Sequence, residues 1–194
     1  MFVRSLSLGV AAAALLSSGA MAADLFIPTT PAPIYEAAGF SWDGLYAGVE
    51  AGGLFTNGLN NGAAHDSRGL IGGVVGVNFT VADPIIVGIE LQGDYVFAAN
   101  NTANDDAGLF LALARVGAVV TDQVLVYAAG GFGVVGSNGV SNGVYALGAG
   151  VEVAVTENVS LRGEVLGLGN FNDDANNNNF FDAAKATVGV FYHF

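Results

Sequence analysis

Apolar and polar residues alternate along most of this chain with a period of two, the signature of strands that show different chemistry on their two faces. The pattern is clearest at Ile85–Phe97, where Glu90, Gln92 and Asp94 face one way and Ile89, Leu91, Tyr95 and Phe97 the other. Eight such stretches are predicted: 45–55, 70–81, 85–97, 109–120, 124–135, 143–155, 159–168 and 183–194. Each is close to the roughly 9–11 residues that a tilted strand needs to cross a bilayer. The stretch at 124–135 is apolar on both faces, and alternation leaves its register open.

The connections fall into two classes. After the even strands they are tight: 82–84, 121–123 and 156–158. After the odd strands they are longer and rich in Asn, Asp and Gly: 57–67, 98–107, 136–142 and 169–182. Short turns at one end and long loops at the other predict an all-β fold, an eight-stranded antiparallel transmembrane barrel with periplasmic turns and extracellular loops. A soluble two-sheet sandwich would also alternate, but it would turn its charged faces to water and would not need this asymmetry.

In the last strand Ala186, Val188, Val190, Tyr192 and Phe194 form a wholly apolar and aromatic face, with Lys185, Thr187, Gly189 and His193 on the other. This ending resembles the terminal strand of bacterial outer-membrane proteins. The resemblance implies that Val190, Tyr192 and Phe194 belong to the signal read by the barrel-assembly machinery. At the other end, Met1–Arg4, an apolar run over 6–16 and Ala20-Met21-Ala22 read as a secretory signal peptide removed after Ala22, with Ala23 as the alternative. Residues 23–39 then form a Pro-rich periplasmic leader, and 40–194 the barrel. Proline lacks the donor that a sheet requires. The leader followed by Phe40-x-Trp42-x-Gly44-x-Tyr46-x-Gly48 resembles the opening of the outer-membrane immunogenic protein family, small eight-stranded barrels related to opacity proteins and to the outer-membrane protein A barrel. That resemblance implies a bacterial outer-membrane location and contact with lipid and lipopolysaccharide.

Composition narrows the chemistry. The chain is 53% hydrophobic, 11% charged, carries 29 Gly and has no Cys, which excludes disulfides and thiol chemistry. No stretch after the signal approaches the roughly 18 apolar residues of a membrane helix, so a chain entering the bilayer must pair its backbone in a closed sheet. A formal charge of −12 argues against nucleic acid as a partner. Oligomeric state is not readable from these features.

Charged residues flanked by apolar neighbours are assigned to the barrel interior: Glu50, Glu90, Asp94, Arg115, Glu152, Arg162, Glu164 and Lys185. Five acids against three bases leave two formal negative charges in a confined space, which predicts a paired network, together with bound protons or a hydrated path. Interior Gly48, Gly76, Gly148 and Gly150 would leave room for such a path.

No catalytic, metal or cofactor site is expected. Some barrels of this size modify lipids, but the two histidines are His65, in a loop, and His193, and no Gly-x-Ser-x-Gly elbow is present. Asn170–Asn179 has the composition of a calcium loop, yet Ala175 and Phe181 occupy the places of the required Gly and Glu. Haem binding, associated with some relatives, rests here on His65 alone. The expected role is structural and surface-presenting, with a low-conductance cation-preferring pore and a loop-mediated adhesin or ligand-binding protein, with haem as one such ligand, as the alternatives.

Because the chain has no Cys, single cysteines report topology cleanly. Substitutions at Asn60, Asn104, Asn138 and Asn177 should react with an impermeant maleimide on intact cells, while those at Asp122 and Glu157 stay unlabelled. The reverse pattern would invert the orientation.

Overall fold

A computed structural model describes residues 40–56, 66–97, 106–137, 140–171 and 180–194. They form eight antiparallel strands: β1 (Gly44–Thr56), β2 (Asp66–Ala82), β3 (Ile85–Val96), β4 (Ala107–Thr121), β5 (Val124–Ser137), β6 (Val140–Ala154), β7 (Val159–Asn170) and β8 (Ala183–His193). Each pairs with its sequence neighbours, and β8 closes on β1 from Tyr46↔His193 to Thr56↔Ala183. Closure removes both sheet edges and pairs the backbone groups that lipid could not satisfy. The fold class and strand count are those predicted. Residues 1–39, with the expected signal peptide and leader, and His65 lie outside the described residues.

Two strands begin earlier than predicted, β2 at Asp66 and β6 at Val140. Ladder pairing carries them past the apolar run: Thr56 pairs with Asp66, and Ser137 with Val140. Alternation records where the chain faces hydrocarbon, and these ends extend beyond it. β7 likewise continues to Asn170, whose backbone N–H donates to the Asp182 carboxylate at 3.1 Å.

The outer wall is apolar. Leu45, Val49, Ile71, Val75, Ile89, Leu91, Val165 and Val188 stand out of it, with Val188 69% exposed. Large apolar side chains exposed all the way round would be untenable in water, and they form the band expected against lipid. Aromatic residues mark its rims, Tyr95, Phe97, Phe110 and Phe171 towards the long connections and Phe79, Tyr192 and Phe194 towards the turns.

Inside, the layers are stacked along the axis. Leu70, Val96, Leu109, Leu111, Val144 and Leu168 form an apolar layer in the extracellular third. A charged layer occupies the middle. Ile86, Leu125 and Ala154 form an apolar layer beneath it, closed by Phe40 and Trp42. The Trp42 carbonyl accepts from Asn78 Nδ2 at 3.1 Å, and its indole N–H points at the Asp122 carbonyl at 3.4 Å. Phe40 packs edge-on against Trp42 and His193, with ring centroids 4.5 and 4.7 Å apart. Gly44 turns this cap into β1 at φ +112°, a conformation that side-chain-bearing residues resist. The Phe-x-Trp-x-Gly opening is therefore a periplasmic cap with a hinge that requires glycine.

β5, the strand of open register, turns Leu125, Tyr127 and Ala129 inward. Space decides it: Tyr127 pairs with Gly150 and lies over it, where any Cβ would collide with the phenol ring. Tyr46 over Gly76 repeats the arrangement.

Tyr192 and Phe194 lie outside, ring centroids 5.1 Å apart, and bury little protein surface. Replacing both with Ser should therefore spare the folded state yet abolish assembly in cells, seen as loss of the heat-modifiable folded band and periplasmic degradation. Normal folded levels would separate these residues from the assembly signal.

Candidate functional site

The interior positions follow from parity: in a barrel strand every second residue points to the axis, so one correctly placed charge fixes its whole strand. The eight charged residues assigned from sequence are all buried inside and fall into two linked clusters.

In the cluster nearer the extracellular side, Lys185 Nζ donates to Glu50 Oε1, Asp94 Oδ2 and Gln92 Oε1, each at 2.6 Å. An ammonium has three protons, and all three are used. Thr187 Oγ1 donates to the other Glu50 oxygen at 3.0 Å.

The second cluster is built on two arginines. Glu90 Oε2 accepts from Tyr46 at 2.5 Å, Arg162 Nη1 at 2.7 Å and Arg115 Nη1 at 3.1 Å. Glu152 Oε2 accepts from Arg162 Nε at 3.0 Å and Arg115 Nη2 at 3.2 Å. The guanidiniums also stack, Arg115 3.9 Å from the Tyr127 ring centroid and Arg162 3.7 Å from that of Phe191. Gln92 joins the clusters, since its Nε2 donates to Glu90 at 2.7 Å and Glu164 at 2.8 Å while its carbonyl meets Lys185. Glu164 is held by neutral donors, with Tyr127 at 2.6 Å on its second oxygen.

Several members of this network were not assigned from sequence: Tyr46, Tyr127, Ser160 and Phe191. Tyr and Phe read as lipid-facing by default; parity with Glu50 signals otherwise for Tyr46 and parity with Lys185 for Phe191, while β5 has no charge to place Tyr127. The space over each of the four interior glycines is taken by a neighbouring group. Phe191 lies against Gly48, Tyr46 against Gly76, Tyr127 against Gly150, and the β7 backbone beside Leu166 against Gly148.

Ser160, His193 and Glu152 converge, which raises the question of an activated serine. Ser160 Oγ lies 3.1 Å from His193 Nε2 and donates to Glu152 Oε1 at 2.6 Å, while Glu152 Oε1 also meets Nε2 at 2.9 Å. A catalytic triad puts the serine and the acid on opposite ring nitrogens. Here both use Nε2, Nδ1 has no partner, and all three residues are buried. The cluster braces the barrel floor. His193 is thereby enclosed, and among the described residues no group of three or more His, Asp or Glu is placed to hold a metal ion.

The barrel with its lipid-facing wall has a counterpart at the level of sequence families. The model of the outer membrane protein β-barrel domain matches residues 8–194. The chain belongs to this family, and it is a protein of the bacterial outer membrane. No sequence among curated proteins matches it. Among solved structures it is similar to Ail, the attachment invasion locus protein of Yersinia pestis, at 16% identity and a TM-score of 0.52, over 77% of this chain and 96% of that one. Neisserial surface protein A gives 14% identity and 0.53 over 77% and 97%. The N-terminal barrel of Pseudomonas aeruginosa OprF gives 16% and 0.51 over 77% and 97%. At these identities the likeness is one of fold. Ail has also been solved with the heparin analogue sucrose octasulfate.

Removing one partner from a buried ion pair typically costs about 3–5 kcal/mol, because the other is left charged and alone. Arg162→Ala should lose about that much in urea unfolding from lipid vesicles, since it strips Glu90 and Glu152 together. Arg162→Met combined with Glu152→Gln should recover part of the loss. Equal losses in the single and double variants would show that Arg162 acts by packing alone.

Proposed function

We propose that the protein is a closed structural barrel of the outer membrane, which contributes to envelope integrity and presents its four long connections at the cell surface. The observation that carries this reading is the saturated Lys185 ammonium, held by Glu50 on the adjacent β1 and, across the lumen, by Gln92 and Asp94 on β3. A conducting path needs water around such charges, yet all three Lys185 protons are taken by protein acceptors and apolar layers lie above and below. Eight strands also leave room for little beyond side chains.

Surface display through the loops is supported by their length and polarity, but a heparin-like polyanion is a poor match. The four long connections carry six Asp and neither Lys nor Arg, so a sulfated ligand would meet repulsion.

Reconstitution into a planar bilayer tests the closed reading. The wild-type protein should show no sustained large channel, and any brief small conductance should favour cations, since interior acids outnumber the two Arg and one Lys. A wide, anion-selective channel would overturn it.

A further inference from the structure

The extracellular end of the lumen differs from the charged layer beneath it. There, inside the barrel wall, is a cavity of about 280 Å³ lined by Leu54, Leu109, Val135, Val144 and Leu168. Thr56, Asn170 and Asp182 form its polar rim. Its walls come from six strands, β1, β4, β5, β6, β7 and, through Ala183, β8, and the Lys185 cluster lies below it.

We propose that this vestibule is a binding site for a small amphiphile, a molecule with an apolar body that fills the cup and a polar end that stays at the rim. Water occupies a cavity stably when it finds two to four polar partners, and these five side chains offer none. The chain itself has little with which to cover them. Residues 57–65, 98–105, 138–139 and 172–179, which border the mouth in sequence, contain Leu59 as their only large apolar residue and are otherwise Asn, Asp, Gly, Ala, Thr and His. The nearby aromatics are committed to the outer wall, where Phe171, Phe180 and Phe181 cluster with Tyr145 and Phe181 lies over Gly167. The volume is close to the roughly 300 Å³ at which small-ligand pockets begin, which suits one short chain or a ring system and excludes a haem or a full lipid. The rim carries the Thr56 hydroxyl and the Asn170 and Asp182 side chains, the latter two joined by a hydrogen bond of 3.2 Å, so the end of the ligand that stays there is polar.

The test uses N-phenyl-1-naphthylamine, a neutral aromatic amine that brightens in apolar surroundings, added to the full barrel in lipid nanodiscs. Nanodiscs expose both faces, so the result does not depend on whether the lumen conducts. A saturable one-to-one component should appear above the linear uptake of empty discs. Val135→Trp and Val144→Trp, which fill the cup, should weaken that component at least tenfold, while Val134→Trp, on the outer wall one residue away, should leave it unchanged. If a Trp variant fails to give the folded band, Val144→Cys alkylated with N-ethylmaleimide after folding fills the same space in an assembled barrel, selectively because the chain has no other Cys. Uptake that is only linear, or a saturable component that survives filling of the cup, would overturn the proposal.

Discussion

Three cations hold the inside of this barrel together. Arg115, Arg162 and Lys185 stand on β4, β7 and β8, and their partners stand on β1, β3 and β6; the pairs of Arg115 with Glu152, Arg162 with Glu90 and Lys185 with Asp94 tie strands that are not neighbours in the sheet. The ladder fixes each strand to the next. The network fixes opposite walls to each other, and so opposes the flattening to which a closed sheet with an empty centre would be prone. Apolar layers lie above and below these pairs, and a setting of low polarity strengthens such pairs and makes each one costly to break.

The outer wall and the interior thus do different work on the same strands. Outward residues need only be apolar, and they vary freely among Val, Leu, Ile and Phe. Inward residues are specific by volume and by charge, as the Tyr46–Gly76 and Tyr127–Gly150 contacts show, where a ring occupies the space that a side chain would need. The charged layer lies in the middle of the barrel, and the apolar cup lies at its extracellular end.

Much of this architecture was legible in the sequence, because lipid outside and charge inside impose a strict period of two. Glu90, Gln92 and Asp94 set β3, and the loop asymmetry set the orientation. What alternation missed has a physical cause in each case. β5 is apolar on both faces, and its register depends on the fit of Tyr127 over Gly150 and its bond to Glu164 on β7, which no local pattern encodes. Phe191 faces inward because Gly48 makes room for its ring and Arg162 stacks on it. The apolar cup escaped notice because Leu109, Leu111 and Leu113 share a parity with Arg115 on a strand that is apolar on its other face too. The Phe40–Trp42 motif was visible, but its task of closing the periplasmic mouth depends on contacts with Asn78 and Asp122 far along the chain.

Lys185 is the only lysine in the chain, and it sits at the centre of the account. Protein labelled with ¹⁵N-lysine and folded into nanodiscs should give one side-chain ammonium resonance that persists at neutral pH, its protons exchanging far more slowly than those of free lysine because all three are bound and shielded. Its absence through rapid exchange with water would mean that the lumen is hydrated, and would contradict the closed, internally braced barrel.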